Sequence, residues 1–515
     1  MKNDANPDRA KQNAAVAERA LRRLHRGRQR GQAILWFLAT TAACCAVLAL
    51  VYNVGQVTNE KEKTINAADA SALSGALVEA RILNFEAYTN RAMIADEVTI
   101  AQLVSLDSWI DYDATMMQYI ADYTAIIPYV DDVTSALADA AQVAKDAVDA
   151  AVPPAIKGLN LAITALKFAR ESANLAAPFA ATSVASGIAH ANATTFGGRF
   201  DKQPELNPTF EALFLVKNTR DWLSFTKAYD GNDRGNAKDV ILNSRDPFST
   251  RRGAGKFIDV TNGLLEAAGL LASAGTAYVG FEKTSNTTTL TDFDHWAAQD
   301  SLDPFVATLK FCLGFIPCGY DKNYVPVPIA YGRADADTDG SVGQDLCHPG
   351  NWTPTGTTLN CTLAVQNANV MSSDGIPNIR DVANPGGPSS ADPTLSFVAG
   401  VQKSADATLT TQRIGSRGMN TVQVAGPQGS PDLKDNLQNG DRLTSIAFAK
   451  VFYARPDWNT RDITEGNLPR PDHKHEYASL YNPYWQARLT QADATTRAAF
   501  YGLIGQNPAL ALVTP

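Results

Sequence analysis

Residues 31–57 have the sequence GQAILWFLATTAACCAVLALVYNVGQV, and residues 60–81 follow with EKEKTINAADASALSGALVEAR. The first stretch has no charged residue, and about 20 apolar residues are enough to cross the hydrocarbon core of a bilayer. In the second stretch, small residues recur at helical spacing: Ala68, Ala72, Gly75, Ala76 and Ala80. Together the two stretches predict a membrane-spanning helix that continues beyond the bilayer and presents a stripe of small residues.

The segment before the span is basic. Residues 1–31 contain nine Lys or Arg and three Asp or Glu, a net charge of +6, while the whole chain of 515 residues carries −8. Basic flanks stay on the cytoplasmic side of a membrane, so we expect the N-terminus in the cytoplasm and the rest of the chain outside it. The exported part then carries −14, which argues against nucleic acid as a partner.

A cleavable secretory signal is the alternative for this segment. Such a signal has a shorter apolar core and a site of small residues just after it. Here the uncharged run is long and is followed by YNVGQVTNEKEK, so we expect a retained anchor. Cys44 and Cys45 lie inside the span, where a thiol behaves as a small apolar group.

Two helical segments are expected after the span. No proline occurs from residue 10 to residue 127, so nothing forces the first helix to end before Pro128. A helix of about 90 residues would be roughly 135 Å long, and we therefore expect a break or reversal near Asn84 to Asn90. Pro153 and Pro154 are expected to interrupt the second helical segment.

The second helical segment contains a heptad-like seam with polar residues between its members, which predicts a packing helix. The seam consists of Val133, Leu137, Ala140, Ala144, Ala147 and Ala151.

The fold class predicted is α+β, with four parts along the chain. These are a basic cytoplasmic leader (1–31), a transmembrane helix (32–57), an alanine-rich helical region outside the cytoplasm (58–196) and a mixed domain of strands and long loops (197–515). Residues 445–456, SIAFAKVFYARP, are the clearest strand. They are apolar on both faces apart from Lys450, which predicts the interior of a sheet.

Four cysteines lie outside the span, in two local clusters: Cys312 with Cys318, and Cys347 with Cys361. In an oxidising compartment this pattern predicts two disulfides that close short loops, with crossed pairing as the alternative. Zinc is the competing interpretation, but neither pair has the C-x-x-C spacing.

Residues 30–32 (RGQ) before the span and residues 66–76 (NAADASALSGA) after it resemble the Tad (tight adherence, Flp pilus) pseudopilin-like proteins, and among them the TadG-like group. Further pieces, such as DGIPNIRD at 374–381, resemble larger bacterial TadG-like proteins. The resemblance implies a single-pass protein of the bacterial inner membrane, with the bulk of the chain in the periplasm or outside the cell.

The sequence departs from the Tad pattern at two points. Pilins of this system that a prepilin peptidase cuts have glutamate five residues after the cleaved glycine, whereas Trp36 stands five residues after Gly31. No convincing DxSxS metal site of a von Willebrand A-type domain follows the anchor. We therefore expect an uncleaved leader, and adhesion through such a metal site is not carried over.

The small-residue stripe from Ala68 to Ala80 allows another helix to approach closely. In a pilin-like protein this helix belongs to another copy or to a pilus base. The alternative is a helix of the same chain, at 131–151. Both interpretations are open, and they are compatible.

A calcium loop is a further candidate site. Asp335, Asp337 and Asp339, followed by Gly340, are spaced as in such loops, and Asp345 lies next to Leu346 at the twelfth position, where glutamate is expected. A solvated acidic turn is the alternative. We expect no cofactor, and calcium at this loop is the one candidate considered.

Other candidate sites are weaker. His473 and His475 lack a third metal ligand, and the aromatic C-terminal segment (Tyr477, Tyr481, Tyr484, Trp485) is expected to close a core. The chain has no G-x-S-x-G elbow, H-E-x-x-H motif or P-loop. We expect neither an enzyme nor a small-molecule substrate.

The function expected is that of a membrane-anchored assembly component, similar to a minor pilin, of a Tad/Flp-type pilus or a related secretion system. Its partners would be the membrane and other pilus-assembly or pilin-like proteins. A surface-displayed binding or adhesion module, stabilised by calcium, is the alternative.

Overall fold

The structure is a computed structural model. The residues that it describes are 7–127, 129–194, 208–272, 276–312, 314, 316–347, 358–385, 391–404, 442–454, 476–491, 497–498, 500 and 502.

In the part of the chain that the structure describes, two very long helices are followed by shorter ones. The helices are α1 (Pro7–Thr124), α2 (Val130–Thr194), α3 (Pro208–Phe225), α4 (Gly235–Asn243), α5 (Pro247–Thr250), α6 (Lys256–Ala272) and α7 (Leu359–Gln366), with a 3-10 turn at Gly231–Arg234.

Ten strands form three sheets in the described part of the chain. The strands are β1 (Thr226–Tyr229), β2 (Ala277–Leu290), β3 (His295–Cys312), β4 (Ile316–Tyr324), β5 (Ala330–Asp337), β6 (Asn369–Ser372), β7 (Ile379–Val382), β8 (Leu395–Ser404), β9 (Arg442–Tyr453) and β10 (Trp485–Thr490). One sheet has the order β2-β3-β5-β6 with β4 also paired to β3, the second has the order β10-β9-β8, and the third pairs β1 with β7.

The predicted α+β class is confirmed, and so is the strand predicted at 445–456. β9 lies between β8 and β10, with antiparallel pairing on both sides. Most of its apolar residues are buried, including Ala447, Ala449 and Val451. A strand that is covered on both faces is apolar throughout, which is the pattern that the sequence shows.

The predicted break near Asn84 to Asn90 is wrong, because α1 is a single helix from Pro7 to Thr124. Asn84 and Asn90 lie within the helix and use their side chains to bind backbone groups of distant segments. Asparagine weakens a helix when its side chain competes for nearby backbone groups. Here the side chains are engaged elsewhere, so the helix is not interrupted.

The predicted interruption at Pro153 and Pro154 is also wrong, because both prolines lie inside the continuous helix α2. An internal proline costs a helix about 3 kcal/mol. Val152 and Ile156, on either side of the pair, are buried in a core that they share with α1. We conclude that this packing outweighs the local cost of the prolines.

The predicted seam of α2 does not pack inside the molecule. All six of its residues, from Val133 to Ala151, are exposed. The face of α2 that is buried is a neighbouring one, which includes Ala138, Ala141 and Val152. Both faces are rich in alanine, so periodicity alone does not distinguish the face that meets α1 from the face that meets solvent.

The two main cores are built along α1. The first joins residues 67–83 of α1 to the β8–β10 sheet and to the C-terminal part of α2. The second joins residues 93–104 of α1 to the five-stranded sheet and to residues 152–163 of α2. The helix that begins in the predicted span thus packs against both the β8–β10 sheet and the five-stranded sheet.

Candidate functional site

The apolar run of α1 is its most exposed part. From Ala33 onward the helix is long and apolar enough to cross a membrane, and none of its most apolar window is buried. Trp36 and Phe37 are each 73% exposed. The hydroxyl of Thr41 donates to the carbonyl of Phe37 at 2.8 Å, so this polar group is satisfied within the helix, as a lipid environment requires.

The small-residue stripe is, in contrast, fully buried. Ala68, Ala72, Ala76 and Ala80 are at most 1% exposed. They belong to a core that contains apolar side chains of the β8–β10 sheet together with Ala177, Ala181, Ala185 and Ala189 of α2. The stripe is therefore a packing surface within its own chain. Its partners are this sheet and residues 177–189, rather than the helix at 131–151.

At Gly75, α1 lies directly against this sheet. A β-carbon at this position would overlap the ring of Phe397 on β8. Phe397 is itself only 1% exposed and is enclosed by the core, so its ring has little room to move away. The absence of a side chain at Gly75 is what allows the aromatic ring to lie directly on the helix.

Asn84 and Asn90 attach α1 to the C-terminal segment. The Asn84 amide donates to the carbonyl of Trp485 at 2.9 Å and accepts from the Trp485 backbone N–H at 2.9 Å. The Asn90 amide donates to the carbonyls of Arg380 and Leu480, both at 2.8 Å, and accepts from Arg170 Nη1 at 3.0 Å. These bonds satisfy backbone groups of irregular segments that would otherwise be buried without partners.

Three buried glutamates lie on the same face of α1. Glu97 Oε2 accepts from Trp296 Nε1 at 3.1 Å, and Glu86 Oε1 accepts from Asn174 Nδ2 at 2.7 Å. Burial raises the pKa of Glu97 to about 8 and that of Glu86 to about 7, and it raises the pKa of Glu79 well above its ordinary range. The buried face of α1 therefore holds carboxyl groups that favour the neutral form.

Residues 31–78 match a protein-family model described as Putative Flp pilus-assembly TadE/G-like. We call residues 31–78, which are similar to that family, the Tad segment. It contains the exposed apolar run and the first four members of the small-residue stripe, so the resemblance to Tad proteins is confirmed over these residues. Comparison with curated proteins and with solved structures found no match.

The Tad segment thus has two surfaces of opposite character. Residues 33–51 are exposed apart from Ala49, which is half-buried, whereas Ala68, Ala72 and Ala76 are enclosed by the chain's own sheet. A large exposed apolar surface that contains few polar groups indicates contact with a membrane or with another protein. The exposed part of the Tad segment is therefore suited to lipid, and its buried part joins the apolar run to the rest of the fold.

Beyond the Tad segment, α1 is also joined to the five-stranded sheet by polar contacts. Ser108 Oγ donates to Asp300 Oδ2 of β3 at 2.8 Å. Asp300 is fully buried and also pairs with Arg252 and Lys283, each at 2.7 Å. Both cations compensate the buried carboxylate, which would be very unfavourable alone. The contacts fix α1 and β3 to each other.

In the predicted calcium loop, Asp335 and Asp337 lie on either side of the same His295 ring and are bonded to protein groups. Asp335 is buried and bonded to Arg333 Nε at 2.6 Å and His295 Nε2 at 2.7 Å, whereas Asp337 accepts from Ser341 Oγ at 2.7 Å. Asp339 is exposed. Asp345 accepts from Gln299 Nε2 at 2.8 Å.

These partners also affect the pKa of Asp335. Burial by itself raises it, but the bonds from His295 and Arg333 outweigh burial and leave the pKa below its ordinary value. Its charge is therefore matched by protein cations. Among the described residues, no group of three or more His, Cys, Asp or Glu side chains is placed to hold a metal ion.

Both predicted disulfides are present with local pairing. Cys312–Cys318 joins the end of β3 to the start of β4, and Cys347–Cys361 joins the segment after β5 to α7. Of the aromatic C-terminal residues, Trp485 is buried and makes edge contacts with Phe225 and Tyr453. His473 and His475 lie outside the described residues.

The sequence did not identify the buried glutamates or the docking asparagines as important, although a signal was present. The helical face of the alanine stripe continues along α1 beyond Ala80. It carries Glu79, Asn90 and Glu97. Polar residues that continue a stripe of buried alanines are expected to be buried as well. Their spacing relative to the stripe, rather than their residue type, would have revealed them.

Proposed function

We propose that this chain is a single-pass, membrane-anchored structural component of a Tad/Flp-type pilus-assembly system, with its N-terminus in the cytoplasm and its folded body outside. One observation carries the proposal. The segment that matches the Tad model, 31–78, has an unburied apolar run followed by a stripe that holds the body on the same helix.

The orientation rests on charge. The nine basic residues before the span exceed the three acidic ones, and such an excess stays in the cytoplasm. Since Trp36 replaces the glutamate of processed pilins, the leader stays attached in our proposal. The protein then acts in the membrane, as a fixed part of the assembly, rather than as a released subunit.

Partners are proposed to bind through helix packing rather than through chemistry. The small-residue stripe of Ala68 to Ala80 is occupied by the chain's own sheet, so it does not provide this contact. Within the span, small side chains remain exposed: Ala39, Thr40, Ala42, Ala43 and Ala46. Small residues allow helices to approach closely in lipid, and we propose that this face meets other pilin-like or pilus-assembly proteins.

Capture of the full-length chain tests the partners. The protein, tagged at its C-terminus, is extracted in mild detergent from cells that assemble Tad/Flp pili, and the bound proteins are identified by mass spectrometry. We expect other components of the pilus system to be recovered. The triple variant Ala42→Leu, Ala43→Leu and Ala46→Leu keeps the span apolar but removes its small face, and it should lose these partners while remaining in the membrane fraction.

Recovery of no pilus-system component with the unaltered chain would contradict the proposal. Equal recovery with the triple variant would contradict the assignment of the interface to the small face of the span.

A further inference from the structure

The exposed seam of α2 is longer than its first six residues. Continued at the same alternation of four- and three-residue steps, it extends from Val133 to Phe179, and we call this whole set the α2 seam. Its fourteen members are all exposed: Val133, Leu137, Ala140, Ala144, Ala147, Ala151, Pro154, Gly158, Leu161, Ala165, Phe168, Ser172, Leu175 and Phe179.

Large apolar side chains stand at both ends of the α2 seam. Leu137 is 53% exposed, Leu161 65%, Phe168 75% and Leu175 66%. Isolated exposed leucines are normal on a protein surface, but a row at heptad spacing is the pattern of a helix that packs against another helix. The opposite side of α2 is already buried against α1 and the sheets.

The borders of the α2 seam are almost uncharged. Lys157 and Glu171 are the two charged residues at the flanking heptad positions of α2. Glu171 is already bonded to Arg170 and Arg380 at 2.8 and 2.7 Å. Charged flanks select the orientation and partner of a coiled coil, and like charges that face each other are unfavourable. With two charged residues at these positions, a parallel pair of identical α2 helices would bring no like charges face to face.

The area of the seam suits a stable dimer. The seam spans 47 residues, which gives a length of about 70 Å, and a helix with side chains is about 10 Å wide. The face therefore offers about 700 Å² per copy, close to the roughly 800 Å² that each partner buries in a standard interface.

We propose that the α2 seam binds the α2 seam of a second copy of this chain, as a parallel, in-register pair. This rests on the membrane anchoring proposed above, not on the role in pilus assembly. Since α1 is unbroken from the span to Thr124 and α2 packs along it, anchoring fixes the height of each seam residue above the bilayer. Two copies in one membrane then present the same residues at the same height.

The anchor also confines both copies to one plane with one orientation, which raises their effective concentration. A two-fold axis normal to the membrane relates the two seams, so that each residue meets its own counterpart. Because the spacing averages 3.5 residues, the pair is left-handed.

Cysteine cross-linking tests the pairing in native membranes. In a full-length background with Cys44→Ser and Cys45→Ser, Ala147→Cys places a thiol in the seam, and Gln142→Cys places one at an exposed position on another side of α2. After mild oxidation, we expect at least about fivefold more disulfide-linked dimer for Ala147→Cys, because a disulfide requires Cα atoms within about 7 Å.

Charge substitutions in the Ala147→Cys chain test whether the apolar side chains of the seam hold the two copies together. Leu161→Asp and Phe168→Asp, both at exposed positions, should leave folding unchanged but reduce the dimer yield of Ala147→Cys about tenfold, since each would bury an unpaired charge. Val216→Asp is the matched control, because Val216 is 68% exposed on α3 and lies outside the seam. It should leave the yield unchanged.

Three results would overturn the pairing. The first is a monomer in the membrane fraction with Ala147→Cys, which leaves the anchoring intact. The second is a seam cysteine linked to a different protein instead of to a second copy. The third concerns cells that carry both the Ala147→Cys chain and the Ala165→Cys chain. A disulfide between these two chains, with no disulfide between two copies of either one, would show an antiparallel pair.

Discussion

At Gly75, α1 and the β8–β10 sheet are in tight contact. Gly75→Leu would drive a side chain into the ring of Phe397, and overpacking of this kind typically costs about 1–3 kcal/mol. We expect the free energy of unfolding of the full-length chain in detergent, measured with chemical denaturant, to fall by about 2 kcal/mol or more.

Gly187→Leu is the matched control, because Gly187 also lies in a long helix but a β-carbon there meets nothing within 4 Å. It should leave stability unchanged or raise it, since leucine favours a helix more than glycine does. Equal effects of the two substitutions would show that α1 and β8 do not meet as described.

Glu97 connects stability to pH. Its pKa in the folded protein is about 8 because of burial, whereas an unperturbed glutamate has a pKa of about 4.3. The folded state retains the proton over the range in which the unfolded state has released it. The contribution of Glu97 to the free energy of unfolding is therefore complete below about pH 4, and it is lost as pH rises through about 8.

We therefore expect Glu97→Gln to reduce the loss of stability between pH 5.5 and pH 8, by about 1–3 kcal/mol. Denaturant unfolding of the full-length chain at the two pH values measures this difference. Glu62→Gln, at an exposed position of the same helix, is the control and should leave the difference unchanged. A Glu97→Gln profile as steep as that of the wild type would contradict the role of Glu97.

At the residue scale, the sequence revealed the alanine stripe but not the glutamates within its face. Alanines at helical spacing have one simple explanation, because they allow close packing. Glutamate in a helix usually marks the solvent side, so Glu79, Glu86 and Glu97 appeared unremarkable. Their burial follows from the two sheets and α2 that surround α1, and these contacts are distant in sequence.

At the scale of elements, the continuity of α1 depends on contacts that replace the expected break. Asn90 is fully buried and binds two backbone carbonyls and one guanidinium group. Asn90→Ala would leave all three without this partner, and each buried unsatisfied group costs about 1–3 kcal/mol. We expect the free energy of unfolding to fall by about 2–4 kcal/mol.

Asn192→Ala is the control for Asn90→Ala. Asn192 is exposed near the end of α2, and its amide donates to the carbonyl of Ile188 in its own helix at 3.0 Å. This substitution should change stability by less than about 0.5 kcal/mol, as is usual at the surface. If Asn90→Ala had as small an effect, its side chain would not hold the C-terminal segment.

The length of α2 was not predictable from local preferences. Pro153 and Pro154 are strong signals for a helix end, yet the helix continues because Val152 and Ile156 are held in the core on either side. The sequence also showed an apolar seam in α2, but it did not show which of two alanine-rich faces meets α1. That choice is made by tertiary packing.

At the scale of the whole molecule, local features were predicted well and distant pairings were not. The long apolar helix, the α+β class and the two short-range disulfides each depend on residues that are close in sequence. The pairing of β8 with β9 and of β9 with β10 joins segments far apart in the chain, and the same holds for the contact of Gly75 with Phe397. Nothing in one short segment specifies such a partner.

Membrane orientation gives a prediction for the whole chain. In the Cys44→Ser, Cys45→Ser background, Val16→Cys and Val216→Cys place thiols at similarly exposed positions, 63% and 68%, before and after the span. A membrane-impermeant maleimide added to spheroplasts should label Val216→Cys at once and Val16→Cys only after lysis. Labelling of both positions before lysis, or the reverse pattern, would contradict a cytoplasmic N-terminus.

Counting surface pili by electron microscopy tests whether the anchored body takes part in assembling a Tad/Flp-type pilus, as we propose. The cells lack the chromosomal copy and carry either the full-length chain or a chain without residues 1–57 that is exported by a cleavable signal. We expect pili with the anchored chain and few or none with the chain that lacks the anchor. Wild-type numbers of pili in cells that lack the protein altogether would contradict it.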